Sequence, residues 1–163
     1  MDPAEYVFRP AAMSDLPRLR AWQSHPHVRK WWGNDAPYDR EELLDDRVSR
    51  MMVALGGTPF AYMQDYTVHG WDEHHFAHLP DGSRGIDQYI GDPAMIGRGH
   101  GTAFIGQRMH QLFAAGAPVI AVDPHPTNTR AIAVYAKLGF TITGGERETP
   151  WGLIVPMEAR PPP

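Results

Sequence analysis

Glycines 97, 99 and 101 alternate in IGRGHGTAFIGQRMHQLF, residues 96–113, between a strand candidate and a run of helical periodicity. A side-chain-free backbone that turns straight into a helix start is costly unless something must approach it closely. The orphan N–H groups of a helix N-terminus, with the positive end of its dipole, attract an anion, and without Cβ atoms phosphate oxygens can reach the backbone. Arg98 adds a charge to the same place. Three spaced glycines after a strand fit a phosphate-binding turn better than a merely flexible one.

The rest of the chain supplies a frame for that turn. EYVFRP, residues 5–10, reads as a strand, and Ser14 as the cap of a helix carrying Leu16, Leu19 and Trp22 on one face. HPHVRKWWG is a short helical piece ending in paired tryptophans, and YDREELLDDR a polar helix. Residues 51–55 and 60–68 form a hairpin around Gly56 and Gly57. Residues 69–83 lack periodicity and read as a surface loop, followed by a strand at RGIDQYI, residues 84–90. From Thr102 a helix places Ile105, Met109, Leu112 and Phe113 on one side and ends at Gly116. PVIAVD, residues 118–123, is a short buried strand. A second amphipathic helix, capped by Thr127 or Asn128, turns Ala131, Val134, Tyr135 and Leu138 inward before Gly139. FTITG and LIVPMEA are the last strand candidates. This order gives an α/β (α+β) fold, a mixed sheet with helices on its faces.

With 163 residues, 42% of them apolar, the chain suits a single domain spanning residues 1–163. A formal charge of −4 offers no basic field for nucleic acid and suits a cationic partner. Cysteine is absent, so thiol nucleophiles, disulfides and Cys-ligated zinc are out, and a reducing, cytoplasmic setting fits. No basic and apolar leader opens the chain and no run of eighteen apolar residues occurs, so neither export nor a membrane is expected.

Three nucleotide loops compete for the glycines. A Walker A loop needs Gly-Lys-Ser/Thr, and Gly101-Thr102 has no lysine between its members. A dinucleotide fingerprint needs a third glycine where Phe104 stands, although Asp123 lies at a suitable distance for a ribose contact. The remaining pattern is that of an acyl-coenzyme A loop.

IGRGHGT ahead of a helix, together with NTRAIAVYAKLGF, resembles the GCN5-related N-acetyltransferase (GNAT) family over nearly the whole chain. That resemblance implies a mostly antiparallel, twisted central sheet flanked by helices, splayed between two central strands to admit an acyl thioester. It implies acetyl-CoA as cosubstrate, held by Ile96, Gly97, Arg98, Gly99, His100, Gly101 and Thr102, with Asn128 nearby. Ile96 departs from the family pattern, which has Arg or Gln there. GIDQ followed by the glycine loop, and then DPHPTNTRAIAVY, is more specifically similar to aminoglycoside 6'-N-acetyltransferases. By that resemblance Asp87 and Asp123 hold ammonium groups, Asp87 also serves as base, and Tyr135 returns a proton to the coenzyme A thiolate. Trp31, Trp32, Gln64 and Tyr66 match segments bordering the acceptor pocket, and the acceptor residues the resemblance implies are Trp32, Gln64, Tyr66, Asp87 and Asp123.

The chemistry supports these roles only in part. A primary amine is protonated near neutral pH and must lose a proton before it attacks a thioester, so the site needs anions and a proton acceptor. An aspartate inside a strand, as at Asp87, points to function because Asp disfavours strands. Asp123 before Pro124 serves equally as a turn initiator, Asn128 as a helix cap, and the spacing alone makes Tyr135 a packed core residue. His69, His74, His75 and His78 lack ligand spacing, read as solvated, and give no metal site. Their loop, which also holds Asp72, Glu73 and Asp81, is expected to wall the acceptor site, and its histidines are a departure from the acidic loop of similar enzymes. The expected partner is a cationic small-molecule amine, an aminoglycoside first, with a polyamine-like metabolite or a siderophore hydroxylamine as the alternative acceptor. A non-catalytic binder of aminoglycoside or acyl-coenzyme A is the rival from another class. A monomer or a homodimer fits the sequence equally.

Overall fold

The structure, a computed structural model, describes residues 5–32 and 39–163. Gly33 and Tyr38, the ends of two sequence segments read above, lie outside the described residues. Strands β1 (Val7–Pro10), β2 (Val48–Leu55), β3 (Thr58–Thr67) and β4 (Arg84–Ile90) form an antiparallel meander, with β2 and β3 joined at Gly56 and Gly57 as the hairpin reading anticipates. Between β1 and β2 come helices α1 (Leu16–Gln23), α2 (Pro26–Trp32) and α3 (Arg40–Leu44). After β4 follow α4 (His100–Ala114), β5 (Ile120–Val122), α5 (Thr129–Lys137), β6 (Thr141–Ile142), β7 (Arg147–Thr149), β8 (Gly152–Ile154) and β9 (Met157–Ala159). The main sheet runs β1-β2-β3-β4-β5-β9-β6, and β7-β8 is a separate ribbon. This is the mixed, mostly antiparallel sheet with flanking helices expected above.

Strand alternation sorts the core onto two faces. Met51, Val53, Met63 and Ile86 turn to one side, where they bury Phe104, Ile105 and Met109 of α4 and Tyr135 of α5. Met52 and Tyr62 turn to the other, under Leu16, Leu19 and Trp22 of α1. On the α4 side the buried Asp65 carboxylate accepts from Arg84 at 2.5 Å and Arg108 at 2.8 Å, tying β3, β4 and α4 together. Breaking such a buried cluster by removing one partner costs about 3–5 kcal/mol.

The decisive irregularity lies between β4 and β5. β4 pairs with β3 along its whole length but meets β5, in parallel, only at Arg84↔Ile120 and Gly85↔Ala121. Beyond that the strands part. The N–H groups of Gly91 and Asp92 bond to the Phe60 carbonyl, keeping the end of β4 with β3. β5 ends before Pro124, which has no N–H to donate and whose carbonyl accepts from Val155 on the far side.

Several local readings need correction. Ser14 does not cap α1; it lies in a 3-10 turn, Met13–Asp15, and Asp15 occupies the cap position, its carboxylate accepting from the Ala12 N–H at 2.8 Å and from Arg9. α4 begins at His100, inside the glycine loop and ahead of Thr102. LIVPMEA is two strands, because Pro156 interrupts it: Leu153 and Ile154 belong to the β7–β8 ribbon and Met157–Ala159 to β9. The loop at 69–83 is not merely superficial, since Val68, Phe76 and Leu79 bury against Val48, Tyr66, Val119 and Ala121.

Tyr66 lies opposite Gly85 in the β3–β4 register, its ring flat against the glycine at the point where the strands part. A Cβ at position 85 would overlap that ring. Gly85→Ala is therefore expected to destabilise the protein by about 1–3 kcal/mol in urea unfolding. An unchanged midpoint would mean that Tyr66 moves aside without loss.

Candidate active site

Two parallel strands in register bring side chains at equal offsets to one level. Asp87 stands two residues after Gly85 and Asp123 two after Ala121, the paired positions, so both carboxylates emerge side by side on one face where the sheet opens. Each is pushed up to about 7, chiefly by burial, and for Asp87 next by the charge of Asp123. Two buried carboxyls this close raise each other's cost of ionising, and such a pair shares a proton and titrates as a unit.

The same level continues across the sheet. Arg50 is opposite Gln64, and Gln64 opposite Asp87. Gln64 Oε1 accepts from Arg50 at 2.9 Å and from the Tyr62 hydroxyl at 2.7 Å, which leaves its Nε2 to donate to Asp87 Oδ2 at 3.0 Å. Arg50 also donates to the Glu42 backbone carbonyl at 2.8 Å, so α3 anchors the row. On the far side His75 Nε2 donates to Asp123 Oδ2 at 2.9 Å.

Gln88 points the other way, to the α4/α5 face, and its amide N–H donates to the Tyr135 hydroxyl. Tyr135 is both packed and polar: its ring is buried edge-on to Phe140, centroids 5.5 Å apart, while it also lines the cleft. Burial first, then the two nearby carboxylates, push its hydroxyl above the usual phenol range, so it keeps its proton at neutral pH.

A cleft of about 1090 Å³ joins these groups to the glycine loop. Asp92 caps the turn Pro93–Met95, and Gly97 and Gly99 take φ of +75° and +83°, a left-handed conformation that a side chain disfavours. Gly99 is the N-cap of α4, so the free N–H groups of that helix's first turn open toward the cleft. Ile96, Gly97, Gly99, His100, Gly101, Thr102 and Asn128 line it. Arg98 does not; the cation at the loop is Arg130 of α5, which also lines the cleft. His100 Nδ1 is hydrogen-bonded to the Tyr6 hydroxyl at 2.8 Å, and Asn128 Oδ1 caps α5 by accepting from the Ala131 N–H at 3.2 Å. The free backbone donors, the absent Cβ atoms and Arg130 suit a pyrophosphate, and the unpaired edge of β4 beyond Gly85 suits an extended amide chain.

At the other end the wall is aromatic. Tyr66 packs on Trp71 and His74, both of which meet Trp151 at the turn of the β7–β8 ribbon, and Trp31 and Trp32 of α2 line the same cleft. Trp32 is the more buried tryptophan of α2, edge-on to Tyr62 and Tyr89, whereas Trp31 is 38% exposed. His69 and His78 are exposed as the solvated reading expects, but His74 and His75 turn inward. His75 is only 6% exposed, and His74 stacks on it at 4.2 Å. Among the described residues no three His, Cys, Asp or Glu side chains converge as metal ligands, and no helix is long and apolar enough to cross a membrane.

His75, Gln88, Arg130, Trp71 and Trp151 escape the sequence reading. Arg130 lies inside the NTRAIAVY stretch and Gln88 inside GIDQ, so position could have flagged them; His75 and Trp151 sit in segments without periodicity.

The chain matches the family model of the acetyltransferase (GNAT) domain over residues 11–146. It is 31% identical over 146 residues to aminoglycoside N(6')-acetyltransferase type 1 of Klebsiella pneumoniae, covering 80% of this chain and 71% of that protein. The fold is similar to AAC(6')-Ib in complex with paromomycin and acetyl-CoA, with a TM-score of 0.85, 30% identity, and 96% and 93% of the two chains covered. An uncharacterized protein of Bacillus halodurans superposes at a TM-score of 0.89 with 25% identity, over 96% and 84% of the chains. The chain therefore belongs to the GNAT acetyltransferase family.

The raised carboxylate pair has a signature in stability. Its folded state binds more protons than the unfolded chain between the ordinary Asp value of 3.8 and about 7, so its contribution to stability falls as pH rises through that window. His74 and His75, held down to about 4 by burial, act with the opposite sign, favouring the folded state as pH rises from 4 toward 6.5. The difference between variant and wild type isolates the pair. Asp87→Asn is expected to be about 1–3 kcal/mol more stable than wild type at pH 8, less than the full shift implies because cleft water screens it, with the gain shrinking toward pH 5. Thermal unfolding at the two pH values measures it.

Proposed function

We propose that this GNAT acetyltransferase moves the acetyl group of acetyl-CoA directly to a primary amine, the 6'-amine of an aminoglycoside, within one domain spanning residues 1–163. The observation that carries the reading is the parting of β4 and β5, which lets a single cleft connect a phosphate cradle, a buried phenol and a carboxylate pair. The relatives named as aminoglycoside N(6')-acetyltransferases support the acceptor.

Each group then has a defined task. The loop at 96–102 with Arg130 holds the pyrophosphate, and the free edge of β4 aligns the amide arm so that the thioester lies in the gap. Asp87 and Asp123 bind the acceptor ammonium and take up the proton it must lose. The amine nitrogen attacks the thioester carbon, and the C–S bond breaks as the C–N bond is completed. The nitrogen then sheds its second proton to solvent, from which Tyr135 is reprotonated after each turnover. Tyr135, its oxygen fixed by the Gln88 amide and its proton retained, donates that proton to the departing sulfur. No enzyme nucleophile is needed, and the chain has no cysteine to supply one. Trp32, Gln64 and Tyr66 border the acceptor, Gln64 acting through its bond to Asp87.

The aromatic wall of Trp71, His74 and Trp151 favours a second reading, an acceptor with fewer positive charges such as an N-hydroxylated diamine. Thiol release from acetyl-CoA with kanamycin, tobramycin, a 6'-hydroxyl aminoglycoside, spermidine and an N-hydroxylated diamine separates the two. The first reading predicts turnover with kanamycin and tobramycin and none with the 6'-hydroxyl compound. Release confined to the other amines overturns the acceptor, and no release at all favours the non-catalytic binder.

Tyr135→Phe is expected to lower kcat about 10²-fold while the KM for acetyl-CoA changes little, the pattern of a group that acts only in the transition state. A kcat equal to wild type would return Tyr135 to a packing role.

A further inference from the structure

His75 lies outside every role assigned above, yet it is the most buried titratable group that touches the carboxylate pair. Its side chain is 3% exposed, and Nε2 meets Asp123 Oδ2 at 2.9 Å. The opposite ring nitrogen, Nδ1, is buried with no partner among the described residues. Those facts fix its tautomer. A proton on Nδ1 would be a buried donor without an acceptor and would leave a bare nitrogen against a carboxylate; a proton on Nε2 satisfies Asp123 and leaves only a weak acceptor unpartnered.

The contact has ion-pair distance, but its surroundings make it a hydrogen bond from a neutral ring. Burial first, then Arg147 on β7, hold the imidazole down to about 4; Asp87 opposes this and His78 adds to it. His74 stacks on one side and Trp151 stands 5.8 Å away. Tyr66 from β3 and Tyr135 from α5 face the pair from the remaining elements, both protonated because burial raises them. Around Asp123, then, His75 supplies a donor without supplying a charge.

Asp87 is treated the same way on the other flank, where Gln64 gives one neutral N–H to its Oδ2. We propose that His75 is a positioning residue of the acceptor site: its neutral imidazole holds Asp123 by one N–H as Gln64 holds Asp87, so both carboxylates are oriented from outside while the pair keeps its negative charge for an ammonium. A cation in the same place, lysine or imidazolium, would orient Asp123 equally well but cancel the charge that the acceptor must meet. A hydrogen bond donated to the charged form favours the ionised carboxylate, so its loss raises the pH at which Asp123 gives up its proton.

The inference rests on the reading of Asp87 and Asp123 as the acceptor site, and the test separates the two. His75→Gln retains an amide N–H at the reach of Nε2; His75→Asn is polar and of similar character but too short to reach Asp123. For both, kcat/KM for the amine acceptor is measured between about pH 5.5 and 9 at saturating acetyl-CoA, alongside KM for acetyl-CoA and Asp123→Asn as reference. His75→Asn is expected to move the acid limb up by about one pH unit and lower kcat/KM near pH 7 about tenfold, with KM for acetyl-CoA within about twofold of wild type. His75→Gln is expected to restore the wild-type limb. A wild-type limb in His75→Asn, or an equal shift in both variants, overturns the proposal. If Asp123→Asn itself keeps wild-type kcat/KM, the reading of the pair fails; if it loses activity while both His75 variants match wild type, only the role of His75 fails.

Discussion

The structure depends on the early separation of two parallel strands. β4 and β5 share two register positions and then diverge, because β4 remains bonded to β3 and β5 ends at a proline whose carbonyl turns to the opposite side. An unpaired strand edge inside a sheet is normally a liability, since each N–H and C=O without a partner costs free energy. Here the vacancy lies along a cleft where an extended ligand can complete the ladder. It also removes the barrier between the faces of the sheet. Asp87 and Gln88 are neighbours that point to opposite faces, yet carboxylate and phenol can act on one reacting centre because the sheet is open between them.

Electrostatics follow from that geometry. Two carboxylates emerge at one level from strands still held close by their last ladder pair, and burial drives the proton affinity of both up, with the charge of Asp123 adding to it at Asp87. The polar row from Arg50 through Gln64 to Asp87, and His75 beyond Asp123, satisfies the outer oxygens with donors from β3 and the 69–83 loop. The one full cation in the row, Arg50, is separated from Asp87 by the neutral amide of Gln64, so the row orients without neutralising.

Much of this was legible in the sequence, for reasons that can be named. β4 was read at its observed limits because RGIDQYI is bounded by turn residues, and the hairpin was marked by Gly56-Gly57. α5 was legible from its inward stripe and from Asn128, which caps it. The pairing of Asp87 with Asp123 was not readable from periodicity, since it depends on the register of strands distant in sequence. The resemblance to a known family put both in one site before any geometry did. Ser14 was read as the cap because a serine suits that position, and nothing in the sequence showed the 3-10 turn Met13–Asp15 that moves the cap to Asp15. His69 and His78 are solvated as read, but the inward turn of His74 and His75 was not legible, because a loop without periodicity gives no sign of burial and Phe76 and Leu79, which carry it inward, are too sparsely spaced to form a pattern. Arg98 was read by its place among the glycines, and Arg130, which α5 delivers from across the cleft, was not singled out.

The aromatic end of the cleft is built on parts that are not woven into the main sheet. Trp151 rides on the β7–β8 ribbon, which pairs only with itself, and Trp71 and His74 ride on the 69–83 loop. The phosphate cradle, by contrast, is fixed between β4, α4 and α5, whose side chains make up the largest core cluster. Exposed positions of the ribbon and loop, such as Trp151, can change without touching the strand ladders that fix the cradle. The two ends of one cleft thus rest on separate supports, so the acceptor end can be reshaped while the donor end keeps its frame.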